Sequence, residues 1–313
     1  MTRESLAYRI GIVFYFIFGY LFIVLFSDLP RILFRSKKNI AGQIVVITGG
    51  AMGIGKQLAK KLCLEQNAKV VILDVNEAEG LKTEEEIVDL GGVAKFYKCD
   101  VSSDKQLEDV RSRIEADENF GVVDIVIANA AILKFGSVTE LTNDDYILNS
   151  KVNYLGHIFT IKTFLGKMIE AKKGHIVSIG SICGHFGEAS GSAYCSSKFA
   201  ARGFLESLQA EIFDLELEKN IILTSIYPYF VNTPFLKNLQ EPHSTFWDVI
   251  PPEVVANEIT DSILYNRHSH FIPGSIKILC VYMKWMCTFG TIPIGRKVFN
   301  VSTKPKFLTE KTL

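Results

Sequence analysis

Eight consecutive residues constrain this chain more than any other stretch: Thr48-Gly49-Gly50-Ala51-Met52-Gly53-Ile54-Gly55. They follow an apolar β-type run at 43–48 and open a helical pattern at 54–66. Glycine permits close approaches that a Cβ forbids. The first turn of a helix presents unpaired N–H groups and partial positive charge. Strand, Gly-rich turn and helix, in that order, form a cradle for a dinucleotide pyrophosphate. Gly-rich turns also occur without a ligand, so the context matters. Asp74 stands nineteen residues beyond Gly55, at the end of the next strand-like run. By itself it reads as a solvated strand-end carboxylate. In this register it accepts hydrogen bonds from the adenosine ribose hydroxyls. A 2′-phosphate there would meet like charge, and Gly50-Ala51-Met52 holds no Lys or Arg to attract one. NAD is therefore expected over NADP.

Strand and helix patterns then alternate. Strands are expected at 43–48, 69–74, 94–99, 124–128, 174–179 and 221–226. Helices are expected at 54–66, 77–90, 103–118, 144–171 and 194–217, the third capped by Ser102 or Ser103. This alternation marks an α/β chain with a Rossmann-type, doubly wound parallel sheet. With no internal repeat or low-complexity linker, one catalytic domain is expected over 39–275.

Tyr194-Cys195-Ser196-Ser197-Lys198 opens the last of those helices. Tyr194 and Lys198 are four apart and share a helix face. A free phenol has a pKa of about 10. A nearby ammonium lowers it by roughly 1–3 units, and a nicotinamide cation adds to that. Tyr194 is thus the candidate acid/base, with Lys198 its charged partner and a holder of the nicotinamide ribose. Ser181, thirteen residues before the tyrosine and just after a strand, is placed to hydrogen-bond the reacting oxygen. Asn153, inside the long helix, is expected to kink it and hold a water that relays protons to Lys198. A tyrosine and lysine at this spacing also arise as an ordinary surface pair. Their register with Ser181 and the Gly-rich turn points to hydride transfer between a nicotinamide and an alcohol or carbonyl.

Lys and Arg balance Asp and Glu at 34 each, so no basic surplus argues for nucleic acid. The apolar surplus lies at the two ends. Residues 10–26 carry no charge, with Arg9 before them and Arg31, Arg35, Lys37 and Lys38 after. A crossing needs about 20 apolar residues and about 17 at the least. Residues 1–38 are therefore expected to anchor the chain in a membrane, by spanning it or by lying in one leaflet or on a lipid-droplet monolayer. If the run spans, the downstream basic flank is expected to stay cytosolic, and the catalytic domain with it. A cleaved signal peptide or a buried helix are the other uses of such a run. The six cysteines form no CxxC and no zinc spacing, and are expected to be reduced thiols. No metal is expected. His268 and His270 lack a third ligand and read as a solvated loop.

The chain resembles the short-chain dehydrogenases/reductases over about residues 40–275. The matching residues are 48–55, Asp74, Cys99-Asp100-Val101, Asn129-Ala130-Ala131, Asn153, Ser181, Tyr194, Lys198 and the stretch from Pro228 to Thr233. The resemblance implies that Thr48, Gly49, Gly53, Ile54 and Gly55 form the cofactor turn. It implies that Asp100 and Val101 contact the adenine and that Asn129 supports the sheet beside the cofactor. Pro228, Val231 and Thr233 would meet the nicotinamide end. Ala131 and Tyr229 depart from the family, where glycine is usual at the first and common at the second. The N-terminal run, AYCSSKFAARGF, PYFVNTPF and IPPEVVANEI…FIPGSIKIL look like the membrane-associated 17β-hydroxysteroid dehydrogenases of types 11 and 13, with retinol dehydrogenase 10 in the same wider group. That likeness implies an endoplasmic-reticulum or lipid-droplet enzyme acting on steroids, retinoids or other lipid alcohols.

The stretch 235–250 is expected to cover the substrate. Phe230, Phe235, Leu236, Leu239, Phe246 and Trp247 make it apolar, as a lipophilic substrate or an ordinary core would require. Residues 276–313 read as an amphipathic segment that lies at a membrane surface or forms a homodimer contact. The leading expectation is a membrane-anchored, NAD-dependent dehydrogenase for a lipophilic alcohol or ketone. The alternatives are an NADP-dependent carbonyl or 3-ketoacyl reductase and a lipid-droplet scaffold with little turnover.

Overall fold

The computed structural model describes residues 36–236 and 246–283, together with Phe14, 17–19, Phe22, Leu239 and Ser244. The chain divides into two units, Met1–Lys38 and Asn39–Leu313. In the first, Phe14, Phe18 and Phe22 are helical and exposed. A spacing of four puts them on one helix face. Among the described residues no helix is long and apolar enough to cross a membrane. Most of the expected anchor, 10–26, lies outside the described residues.

The second unit runs β1 (Ile44–Thr48), α1 (Gly53–Leu64), β2 (Lys69–Asp74), α2 (Glu77–Asp89), β3 (Val93–Lys98), α3 (Asp104–Ala116), β4 (Ile125–Ala128), α4 (Asn143–Ser150), α5 (Gly156–Ala171), β5 (Gly174–Ile179), α6 (Ser192–Asp214), β6 (Ile221–Pro228), α7 (Pro252–Leu264) and β7 (Ser269–Ile272). The seven strands pair in parallel in the order β3-β2-β1-β4-β5-β6-β7. Central strands buried on both faces need apolar residues throughout. Every residue of β1 and β4 is accordingly buried. The edge strand β3 instead exposes Val93, Lys95 and Lys98, and edge lysines discourage pairing with another chain.

Successive side chains of a strand point to opposite faces. Val45 and Ile47 therefore pack with Leu58, Leu62, Ile87, Ile259 and Ile263, under α1, α2 and α7. Val46 packs with Leu107, Ile114, Ile161, Phe164 and Ile212, under α3, α5 and α6. Truncating a fully buried residue such as Leu58 to alanine should cost about 2–5 kcal/mol. Side-chain caps set three helix starts. Asn76 begins α2, Ser103 begins α3, and Thr142 begins α4 in a reciprocal capping box with Asp145.

Four features extend or depart from the sequence expectation. The long helix is broken by a π-turn at Lys151–Leu155, centred on Asn153. β7 was not anticipated because four residues carry too short a period to stand out. α7 was missed too, although Pro252 at its first position is a start signal. Finally, the segment after residue 275 begins inside the core. Ile276 and Cys280 are buried with Tyr227, Tyr229 and Phe271. Lys277 and Ile278 between them are exposed, so the described start of the segment has one buried and one exposed face, and residues 284–313 lie outside the described residues.

Candidate active site

The strand order reverses direction between β1 and β4, and a crevice opens there at the carboxyl ends of the strands. Thr48 stitches its floor. Its hydroxyl accepts from the N–H groups of Asn129 at 3.0 Å and Ala130 at 3.1 Å. In return the Asn129 amide donates to the carbonyls of Thr48 and Gly49, at 2.9 and 3.0 Å. Gly49 has φ 65°, and a Cβ there would come within 2.8 Å of the Ala130 backbone. A Cβ on Gly55 would collide with the Gly49 carbonyl. No side chain caps α1, unlike α2, α3 and α4. Its first turn, with Met52, Gly53 and Ile54, faces the cleft. A helix N-terminus left to face a crevice across glycine suits a pyrophosphate.

Asp74 ends β2 on the same cleft. One carboxylate oxygen accepts from the Ala51 N–H at 3.1 Å and the other from the Asn76 N–H at 3.0 Å. Two backbone bonds fix the group and leave lone pairs for a diol. The Asp100 carboxylate accepts from the Ser102 N–H at 2.8 Å, which shapes the neighbouring loop. Asp100 and Val101 both line the cleft.

Ser181, Tyr194 and Lys198 converge at the other end. Ser181 follows β5, and its hydroxyl accepts from the Cys183 N–H at 3.1 Å and lies near enough to the Tyr194 phenol to favour its ionised form. Tyr194 and Lys198 project from the first turns of α6, and both are buried. Lys198 Nζ donates to the Ile179 carbonyl at 3.1 Å and sits 5.8 Å from the Tyr194 ring centroid. Burial lowers the Lys198 pKa to about 8. The expectation that Lys198 pulls the phenol down is not met. Burial, first of all, pushes Tyr194 above its ordinary value, opposed only by the nearby Ser181 hydroxyl. A desolvated phenolate lacks water, and the ammonium is turned to a backbone carbonyl.

The cleft encloses about 850 Å³. It brings together Gly49, Gly53, Ile54, Asp74, Asp100, Val101, Asn129, Ser181, Tyr194, Lys198, Pro228, Val231 and Thr233. Thr48, Gly55 and Asn153 stand behind its wall. Asn153 is fully buried; its oxygen accepts from the Ile132 N–H at 2.8 Å. Its amide donates towards the Ile132 carbonyl, Ser197 and Asn149. Both donor hydrogens are thus committed to protein, and Asn153 clamps the strand-end loop to the π-turn. Sequence reasoning missed His157. Its ring meets the Ser178 hydroxyl and the Ala130 carbonyl at 3.2 and 3.3 Å behind the cleft, and burial lowers its pKa to about 3. A single histidine in a helical pattern carries no signal of such a role.

Of the apolar loop residues, Phe230, Phe235 and Leu236 line the cleft with Phe135 and Leu133. Leu239 is buried and Phe246 is 65% exposed. His270 is not a solvated loop residue: it lies on β7 and pairs with Glu258 at 2.8 Å. Cys63, Cys99, Cys183 and Cys195 are free thiols, and these four and Cys280 are all buried. No group of three or more His, Cys, Asp or Glu among the described residues is placed to hold a metal.

A dinucleotide cradle continuous with a buried Ser-Tyr-Lys cluster defines a nicotinamide-dependent oxidoreductase. The family model described as short chain dehydrogenase matches residues 43–244, and the chain belongs to that family. It is 35% identical over 253 residues to 17-beta-hydroxysteroid dehydrogenase 13 of Homo sapiens, covering 80% of this chain and 82% of that one. It is 33% identical over 256 residues to estradiol 17-beta-dehydrogenase 11 of Rattus norvegicus, covering 82% and 83%. Two solved structures share the fold. A short-chain dehydrogenase/reductase from Burkholderia phymatum in complex with NAD superposes with TM-score 0.71 at 22% identity, covering 78% of this chain and 93% of that one. An alcohol dehydrogenase from Thermococcus sibiricus complexed with 5-hydroxy-NADP gives 0.62 at 23% identity, covering 73% and 95%. The residues around the cleft fit the nicotinamide dinucleotide that this family binds. The chain is an oxidoreductase related to steroid dehydrogenases.

Proposed function

We propose that the protein transfers a hydride between NAD and a lipophilic alcohol or ketone, with Tyr194 as acid/base. The observation that carries this reading is one continuous cleft, running from the pinned Asp74 carboxylate past Tyr194 to an apolar wall of Phe135, Phe230 and Phe235. A carboxylate fixed at the ribose position favours a free 2′-hydroxyl over a 2′-phosphate. An apolar wall favours a substrate with little polar surface, at about 25 cal/mol per Å² removed from water.

In the oxidative direction Tyr194, ionised to its phenolate, would take the hydroxyl proton of the substrate and become the phenol, while Ser181 hydrogen-bonds the same oxygen. NAD supplies the hydride acceptor and, in its oxidised form, a positive charge beside the phenol. Lys198 contributes a buried ammonium on the same face and holds the ribose. Asn153 and His157 act through the backbone: the first holds Ile132, the second holds Ala130.

The same proposal places residues 1–38 in or on a lipid surface, at the endoplasmic reticulum or a lipid droplet, with the catalytic unit in the cytosol. Its support is the uncharged run 10–26, the basic residues after it, and the exposed face of Phe14, Phe18 and Phe22. Two experiments test these readings. Membranes carrying the full chain, given retinol, oestradiol and long-chain alcohols, should form NADH faster than NADPH; the reverse order would reject Asp74 as selector. A fusion of residues 1–38 to a soluble reporter should reach the reticulum, and droplets after lipid loading. A reporter that remains in the cytosol, or is cleaved and released in the lumen, would reject the anchor.

A further inference from the structure

Tyr229 follows the last residue of β6 and stands on the cleft wall. Its N–H donates to the Ile272 carbonyl at 2.8 Å, so the residue is fixed as an added rung of the β6–β7 pairing. Its ring meets Phe230 edge-on, with centroids 4.8 Å apart, and lies 6.0 Å from Trp247. Trp247 is itself held by a 3.2 Å bond from its indole N–H to Ser275. The surrounding cluster is apolar: Ile182, Phe271 and Ile276 are buried in it.

Within that cluster Tyr229 is 8% exposed, and its hydroxyl is buried with no hydrogen-bond partner among the described residues. The Ser244 hydroxyl is near enough to lower the phenol's pKa, but burial dominates and raises it. The group is therefore a neutral hydroxyl that can donate or accept. A buried hydroxyl without a partner is costly, and phenylalanine would fill the same space without that cost. A ligand that brings its own polar atom removes the cost.

We propose that the Tyr229 hydroxyl is a specificity-determining contact, which hydrogen-bonds a second oxygen of the substrate away from the one held by Ser181 and Tyr194. The substrate class is an apolar alcohol or ketone with a further hydroxyl or keto oxygen. This inference rests on the alcohol/ketone reading of the cleft given above. A site built to hydrogen-bond a substrate oxygen rejects the analogue lacking it, because its own polar group is then left unpaired.

The test compares matched pairs on the purified full chain: oestradiol against the analogue lacking the phenolic hydroxyl, and a long-chain α,ω-diol against the monoalcohol. Wild type should prefer the two-oxygen member of at least one pair by roughly 10-fold or more in kcat/KM, mainly through KM. Tyr229→Phe should abolish the preference and leave the single-oxygen member within about 2-fold. Its melting temperature should stay equal or rise, since no native bond is lost. Equal effects of Tyr229→Phe on both members would overturn the proposal. So would a Ser244→Ala variant that reproduces the Tyr229→Phe effect, because the hydroxyl would then serve the covering loop. If wild type turns over none of these compounds, the alcohol/ketone reading fails for them. Binding followed by Trp247 fluorescence, in a Trp285→Phe background, still answers for Tyr229. A two-oxygen preference lost in Tyr229→Phe supports the contact, and its absence rejects it.

Discussion

Lys198 lies one helical turn after Tyr194, yet its ammonium donates to the Ile179 carbonyl at 3.1 Å and not to the phenol. Ile179 ends β5, two residues before Ser181. One hydrogen bond thus ties α6 to the strand that carries the serine. It fixes how far apart the two hydroxyl-bearing side chains stand. The ammonium has lost water in doing so, which is why its pKa falls to about 8.

Tyr194→Phe removes one oxygen from a buried ring whose packing against Phe135 and Phe235 is unchanged. Turnover should fall by at least the roughly 10²–10⁴-fold typical of general acid–base catalysis. Cofactor affinity, measured by fluorescence titration, should persist. Near-normal turnover would remove Tyr194 from the chemistry.

The depressed Lys198 pKa has a consequence for stability. The ordinary value is 10.5 and the folded value about 8. Below pH 8 both folded and unfolded chains hold the proton, and the folded state bears the whole burial penalty. Between pH 8 and 10.5 the folded state releases its proton first. The unfolded chain then binds more protons, so stability rises with pH by up to about 1.4 kcal/mol per pH unit. Lys198→Met lacks this slope. Without cofactor it should melt higher than wild type at pH 7, with the gap closing as pH climbs towards 10.5. Parallel melting curves for the two proteins would show that the lysine is not desolvated.

Asp74→Ala should weaken NAD binding by roughly 10-fold or more, as expected for a hydrogen bond to a charged group. It should also narrow the gap to NADP. Adding Val75→Arg places a cation at a position that is 61% exposed beside the ribose site, and should narrow the gap further. Competition binding of NAD and NADP measures both. A double variant with unchanged selectivity would show that Asp74 does not read the ribose.

Gly55→Ala tests the close approach of α1 to the strand end. The new methyl would meet the Gly49 carbonyl and come within 2.8 Å of the Asn129 amide. Overpacking of this kind costs about 1–3 kcal/mol. Because the shift displaces Gly49, cofactor affinity should fall along with the melting temperature. A melting loss with unchanged NAD affinity would separate the turn from the binding site.

Much of the sheet was legible because its signals are local. Apolar runs such as Ile44–Thr48, the helix cap at Ser103, and the glycines after Thr48 act within a few residues of themselves. The π-turn around Asn153 was anticipated only as a kink. The asparagine's partners, Ile132 and Ser197, are distant in sequence, so its commitment to them could not be read from neighbours. β7 was hidden for a similar reason: four residues become a strand only because β6 offers an unpaired edge.

From its sequence alone this protein is a βα-alternating chain with a dinucleotide turn at 48–55, an acidic strand end at Asp74 and a tyrosine one turn from a lysine, because each of these rests on periodicity, backbone freedom or helical spacing. The tertiary structure decided what those residues experience. It brought Ser181, Tyr194 and Lys198 to one cleft with Asp74 through the strand order 3-2-1-4-5-6-7. It turned Lys198 towards Ile179 and let burial raise the Tyr194 phenol. It also left the Tyr229 hydroxyl in an apolar wall without a partner among the described residues. Desolvation and hydrogen-bond satisfaction depend on every group packed around an atom, and those neighbours come from strands and loops far apart in the chain.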